Sequence, residues 1–348
     1  MNTVLRAGMT IGALAWILGC NSGAVKASAE ASTKNSSAEA GQAKSFALDA
    51  QDQAPPASQT GGFDGQKAYD YTAKLVSFGP RPAGSDALRQ MQAYVLGEMK
   101  TTGCGVEEDN FHAQTPIGVL TMKNIVVKAP GEGKGIILLL THYDTVRVPD
   151  FVGADDGGSS SGLMMELAHR VCGRKYPLSV WMVFDDGEEA QGNWSSAADV
   201  NWTNTNDTYG TRELAAKLDL DGRLSDVKAV LLVDMVGQKG LRLQREDNST
   251  QWLADLVWDT ADKLGYGSVF VEDKQGAISD DHLPFLAKHV PSVDVIDLND
   301  YSYWHTPQDT MDKISAKSLA IVGHVMLRSI DALQKKFSAA PPRPKATR

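Results

Sequence analysis

The sequence has only 3 cysteines in 348 residues, and none stands at a spacing that would build a cysteine-rich metal site. Basic residues are also short, with 34 Lys and Arg against 43 Asp and Glu, a net charge of -9. A nucleic-acid partner requires a basic face to neutralise phosphates, so this balance argues against that class. No stretch reads as a comfortable bilayer span. The apolar segment from Met9 to Leu18, broken by Thr10, is too short. Internal repeats are absent. What remains is a chain that is 42% hydrophobic, enough to bury a sizeable core in one large domain or two small ones.

The first twenty residues read as an export signal. Arg6 is the only early charge, a short apolar core follows, and small residues close it. The run Ile17-Leu18-Gly19-Cys20 resembles the lipobox of bacterial lipoproteins, in which the cysteine is lipidated and becomes the first mature residue. That resemblance implies a cell-envelope protein held to a membrane through Cys20, on the periplasmic or surface side. Cys104 and Cys172 are then left as two buried thiols or as a pair oxidised in the export compartment. Residues 21–62 are rich in Ala, Ser, Gln and Glu and contain Pro55-Pro56 and Gly61-Gly62, which predicts a disordered tether. Residues 339–348, with three prolines and basic residues, predict a disordered tail.

Between them, residues 63–338 read as one domain. Ala68, Tyr71, Leu75 and Phe78 have helical spacing, as do Leu88, Met91, Val95 and Met99. The unbroken apolar run at 136–140, and similar runs at 178–184, 227–233 and 293–296, read as strands buried on both faces. Helical patterns at 161–171, 212–218, 253–264 and 314–333 separate them. The alternation predicts a single-domain α/β fold, a central, mostly parallel mixed sheet with helices on both faces.

The polar residues follow the strands. His142 and Asp144 come after the first run, Asp185, Asp186, Glu188 and Glu189 after the second, and Asp234 ends the third. In open α/β sheets ligands bind beyond the carboxyl ends of strands. Carboxylates crowded at one edge repel each other and lose their charge unless a cation resolves the crowding. Zinc takes His nitrogen and carboxylate oxygen, and the candidates in chain order are His142, Asp156, Glu189, Asp234 and His305.

The ordered motifs THYDT, GADDGGSSSG, FDDGEEA, LLVDMVG, SDDHLPFL and YWHTPQDT, preceded by FGPRPAGS at 78–85, resemble the zinc aminopeptidase family that includes the glutaminyl cyclases. The likeness covers residues 64–336. It implies that fold, and a single Zn2+ on Asp156, Glu189 and His305. Asp156 is preferred because it stands ten residues before Glu166, the spacing found in cyclases, and Asp155 is the alternative. The resemblance makes Glu188 the general acid/base.

Three features resemble a cyclase more than an aminopeptidase: Asp280 before Asp281-His282, Trp304 immediately before His305, and Trp194 five residues after Glu189. In that reading Trp194 and Trp304 wall a pocket for a glutamine side chain, and Asp234 and Asp280 hold the leaving nitrogen. The expected activity is conversion of N-terminal Gln of peptides or proteins to pyroglutamate, by a chain acting as a monomer. A two-metal aminopeptidase, with His142 and Asp234 as further ligands, is the alternative. Otherwise His142 stays off the metal, with Asp144 orienting it. A non-catalytic binding module is disfavoured because no ligand is lost. Asp294 stands where animal cyclases have His, and the 195–208 insertion is longer than theirs. Neither has a role assigned. The remaining tryptophans, 181, 202, 252 and 258, are expected to pack.

Overall fold

A computed structural model describes residues 50–338 apart from 202, 204 and 205. Cys20, the export signal, residues 21–49, Trp202 and the 339–348 tail lie outside the described residues.

Among the described residues there are eight strands and seven helices, and the four predicted strands and six predicted helices are all present. The main sheet contains β1 (Gly105–Thr115), β2 (Gly118–Ala129), β3 (Ile136–His142), β4 (Ser179–Asp185), β5 (Val227–Asp234) and β8 (Ser292–Ile296), in the order β1-β2-β4-β3-β5-β8. β4, β3, β5 and β8 run parallel, while β1 and β2 join antiparallel at one edge. A separate two-stranded sheet pairs β6 (Leu243–Glu246) with β7 (Phe270–Gly276).

The apolar runs form strands because both faces are covered. Ile137, Leu139, Val180, Met182, Ala229, Leu231 and Val293 face one core. That core is closed by α1 (Gly65–Val76), α2 (Asp86–Lys100), α3 (Gly158–Val171), α5 (Gln251–Lys263) and α7 (Ala316–Ser338). The alternate residues Leu138, Leu140, Val183, Val230 and Leu232 face the other, under α4 (Tyr209–Leu220) and α6 (Leu283–Leu286). At Gly162 a Cβ would come within 2.2 Å of Thr72 Oγ1, so glycine is what lets α3 pack directly on α1.

β1, β2, β6 and β7 have no counterpart among the predicted strands. β1 carries Glu107, Glu108, Asp109 and Asn110, and only Asp109, Ala113 and Thr115 of it are buried. An edge strand with one open face needs no apolar run, and its charges discourage pairing with other chains.

The boundary of the tether needs correction. From Ala50 onward the chain is packed on the domain rather than free. Asp52 and Thr60 are buried, Lys239 pairs with Asp52 at 3.6 Å, and Ser315 Oγ reaches the Asp52 carbonyl at 3.4 Å. Phe63 is fully buried and fills the place where a side chain on Gly323 of α7 would sit. Polar composition predicted disorder here because the segment has no core of its own and borrows that of α7. Three expected packing tryptophans do pack. Trp181 is buried in the second core, Trp258 is buried and donates to the Val271 carbonyl, and Trp252 meets Phe337 edge-on.

Cys104 and Cys172 form a disulfide that links the approach to β1 with the end of α3. The cross-link closes a 68-residue separation. On loop-closure entropy such a cross-link contributes about 4 kcal/mol. Replacing both cysteines with Ser should lower the melting temperature by roughly 5–10 °C for a domain of this size. An unchanged melting temperature, or two free thiols titrating in unreduced denatured protein, would contradict the bond.

Candidate active site

The strand ends deliver the site. β3 ends at His142, β4 at Asp185 and β5 at Asp234, and β3–β4 and β3–β5 are parallel neighbours, so all three open on the same edge. Strand order reverses around β3, which is where open α/β sheets leave a crevice. Loops supply the rest: Asp156 before α3, Glu188 and Glu189 after β4, Asp280 after β7, and His305 before α7.

Two donor groups meet at Asp156. His305 Nε2 lies 3.1 Å from Glu189 Oε2 and 3.4 Å from Asp156 Oδ2. His142 Nε2 lies 3.2 Å from Asp156 Oδ1 and 3.0 Å from Asp234 Oδ1. Within each of these groups the ligand atoms lie within 4.8 Å of one another. All five residues are buried. Asp156 Oδ2 and both Glu189 oxygens have no hydrogen-bond partner. Buried carboxylate oxygens without donors, converging on one imidazole, are what a divalent cation satisfies. The residues present therefore fit the expected zinc, and Asp156 rather than Asp155 faces it. Asp155 turns away, accepting from the Gly237 amide at 2.7 Å.

With protein groups alone, the charges compensate by proton uptake. Burial, followed by repulsion from Asp156, pushes Glu189 up to about 7. Burial would lower the His305 imidazolium, but Glu189 and Asp156 outweigh it and raise it to about 10. Burial would raise Asp156, but the adjacent imidazoles of His142 and His305 outweigh it and hold it low. A bound cation would displace these protons.

The loops that carry the donors are fixed by residues the motif reading left unassigned. Asp309, four residues after His305, accepts from the amides of Asp155 at 2.8 Å and Asp156 at 3.2 Å. It thus ties one donor loop to the other, and Tyr301 Oη donates to it. Arg81, in the FGPRPAGS segment, is fully buried and donates to the carbonyls of Tyr143, Val152 and Gly153. Gly157 has φ 73°, and a Cβ there would strike the His142 ring at 2.9 Å. Asp144, expected to orient His142, lies 3.8 Å from its Nδ1 and accepts from the amides of Gly187 and Glu188.

A cavity of about 250 Å3 opens over this edge, lined by Asp156, Glu188, Glu189, Asp234, Asp280, Trp304 and His305. Its apolar wall is Met235, Ile278, Ile296 and Leu298. Trp304 stacks on His305 with centroids 4.1 Å apart. Burial leads the forces that raise Glu188 and Asp280 well above the usual carboxylate range, and neighbouring carboxylates add to it. Trp194 departs from expectation. It packs with Val146, Val148 and Phe151, and is absent from the cavity lining. Its Nε1 donates to the Ala190 carbonyl, which turns the ring behind the Glu189 loop. Asp294 is buried in β8 and the described part of the 195–208 insertion stays off the cavity.

An α/β sheet with buried His and carboxylates at its carboxyl edge defines a metallopeptidase-type fold, and the chain belongs to Peptidase family M28, which it matches over residues 124–330. Its similarity is to glutaminyl cyclases in particular. It is 39% identical to an Acidobacteriales bacterium glutaminyl cyclase, over 79% of this chain and 96% of that one, with a TM-score of 0.71. It is 26% identical over 275 residues to the glutaminyl-peptide cyclotransferase of Drosophila melanogaster, covering 70% of this chain and 75% of that protein. A Zn-dependent exopeptidase from Parabacteroides distasonis is 27% identical over 77% of this chain and 98% of that one, TM-score 0.70. The motif resemblance and the expected fold are borne out.

Asp185 is among the buried acids that lie outside this machinery. It is fully buried, and burial, then repulsion from and a hydrogen bond with Asp281, pushes its pKa well up. Its folded pKa exceeds its unfolded one, so its contribution to stability falls as pH rises above the ordinary Asp range. Asp185→Asn should therefore raise the melting temperature relative to the parent more at pH 8 than at pH 5. Equal differences at the two pH values would refute a protonated Asp185.

Proposed function

We propose that this chain is a zinc-dependent glutaminyl-peptide cyclotransferase, converting N-terminal glutamine to pyroglutamate with release of ammonia. The observation that carries this reading is that Asp280 and Trp304 line the same cavity as the Asp156–Glu189–His305 donor set.

Asp156, Glu189 and His305 would hold one Zn2+, which supplies Lewis-acid polarisation of the side-chain carbonyl. The substrate's α-amine attacks its own side-chain amide carbon, so a C–N bond forms and the bond to the amide nitrogen breaks. Glu188 takes the proton from the attacking amine and delivers it to the departing nitrogen, which leaves as ammonia. Burial suits Glu188 to this, since a raised pKa brings its two protonation states closer to working pH. Asp234 and Asp280 accept N–H bonds from the leaving amide. Trp304 and the aliphatic wall hold the chain folded back on itself, so proximity lowers the barrier. No water is consumed, and a small cavity with an apolar wall favours cyclisation over hydrolysis.

The second reading, a two-metal aminopeptidase, is kept alive by His142, Asp156 and Asp234, whose donor atoms also cluster. In the favoured reading His142 is a hydrogen-bond partner of Asp234, not a ligand.

We also propose that the chain is exported, lipidated at Cys20 and active as a monomer. The apolar segment ending at Cys20 and the Cys104–Cys172 bond support export, since such bonds persist in oxidising compartments. Membrane-fraction protein that becomes soluble on Cys20→Ser would bear out the anchor, and an unchanged distribution would refute it.

Protein lacking residues 1–20 should remove ammonia from a peptide beginning with Gln and leave one beginning with Leu intact. Release of free Leu would instead establish the aminopeptidase. Glu188→Gln should lower kcat by about 10²-fold or more while zinc stays near one per chain. Full activity in that variant would remove Glu188 from the mechanism. His142→Ala should keep the zinc content unchanged, whereas loss of one of two metals would favour the aminopeptidase.

A further inference from the structure

The cavity wall at 277–280 comes from a loop after β7, outside the main sheet, so something other than the sheet must fix it. Glu246, the last residue of β6, is the group that does so. Its residue is 4% exposed, and its side chain accepts four hydrogen bonds. Oε1 takes the amides of Asn248 at 2.8 Å and Ile278 at 2.9 Å. Oε2 takes the amide of Ser249 at 2.7 Å and its hydroxyl at 2.9 Å. Ile278 is itself a cavity residue, and Asn248 Nδ2 returns a bond to the Ile278 carbonyl at 2.9 Å.

Two further links run from Glu246 toward Asp280. His282 Nε2 lies 3.4 Å from Glu246 Oε2, and its Nδ1 lies 4.0 Å from Asp294 Oδ2. Ser249 Oγ, while donating to Glu246, accepts from the Asp294 amide at 3.0 Å. His282 is two residues past Asp280 on the same loop, so Glu246 grips that loop before and after Asp280. Burial would raise the Glu246 carboxyl, but His282 and the Ile278 and Asn248 amides outweigh it and hold it at about 2. It is therefore a permanent anion. An amide in its place would set an NH2 group against one of the donor pairs.

We infer that Glu246 is a positioning residue that fixes the cavity wall 277–280 and the setting of Asp280, through its hydrogen bonds to Ile278 and Ser249 and its close approach to His282. The inference rests on the cyclase reading only for what the wall receives, an N-terminal glutamine. The mechanical claim is independent of it. Fixing a group that holds substrate acts on binding, and loss of such support costs about 10-fold or more.

The test compares parent, Glu246→Gln and Ser249→Ala, full domain with zinc. Amide hydrogen exchange in peptides spanning 276–282 should rise several-fold in Glu246→Gln and less in Ser249→Ala. Exchange around His305 and the zinc content should stay at parental values. KM for a Gln peptide should rise about 10-fold, with kcat falling less. Parental exchange at 276–282 in a folded Glu246→Gln protein overturns the inference. So does a loss of kcat and zinc together with unchanged KM, because that is the pattern of a merely structural residue. If Glu246→Gln does not fold, the Ser249→Ala exchange pattern decides by the same criteria. A parent that leaves Gln peptides unchanged defeats the cyclase reading, and the exchange comparison still decides this one.

Discussion

The constraint on which the structure depends is the repulsion among buried carboxylates. Asp156, Glu188, Glu189, Asp234 and Asp280 all line one cavity, with Asp185 and Asp281 buried close by. In a low dielectric such groups cannot all stay ionised without compensation. The fold answers in three ways. Two histidines stand between the carboxylates, at 3.0–3.4 Å from their oxygens. Arg81 places a permanent cation among them, where their charges offset part of the cost of its own burial. The remaining deficit is what a divalent ion fills. The site is thus prepared for metal by being unstable in charge without it, and binding the ion is coupled to release of protons.

The same crowding sorts the acids into roles. Asp156 is held ionised by two imidazoles and is suited to ligation. Glu188 and Asp280, lacking such close partners, are pushed up and are suited to holding or passing a proton. Neighbouring acids whose environments separate their pKa values are how one cavity contains both a ligand set and a proton carrier.

What could be read from the sequence followed from burial on two faces. β3, β4, β5 and β8 are rich in apolar residues because helices cover both sides, and the ends of β3, β4 and β5 located the chemistry. The edge hairpin β1–β2 was hidden, since one-sided burial leaves no run, and the 50–62 segment was hidden because it has no apolar run of its own and packs on residues distant in sequence, Lys239 and Ser315 among them. The geometric grouping of Asp156, Glu189 and His305 was legible through ordered motifs, because each sits a fixed distance from a strand end. Trp194 was not, since spacing from Glu189 fixes where its backbone goes but not which way the ring turns. Here the ring fills a small apolar cluster with Phe151.

Glu246, Arg81 and Asp309 share a reason for being hard to find. Each acts on backbone groups of a distant loop, so no local pattern announces it. Asp309 reaches back 153 and 154 residues to the amides of Asp156 and Asp155. Arg81 reaches forward 62 to 72 residues to the carbonyls of Tyr143, Val152 and Gly153. Yet Arg81 and Asp309 lie inside the quoted motifs, FGPRPAGS and YWHTPQDT, and Asp309 is four positions from a proposed ligand. The length of those motifs now has a physical account. A ligand alone needs one residue, but a ligand held within a few tenths of an ångström also needs the groups that hold its loop. Glu246 lies outside every motif and serves a loop that lines the cavity without supplying a ligand. By the same logic it belongs to the recognition of substrate, where chains sharing the metal donors can differ in what they turn over.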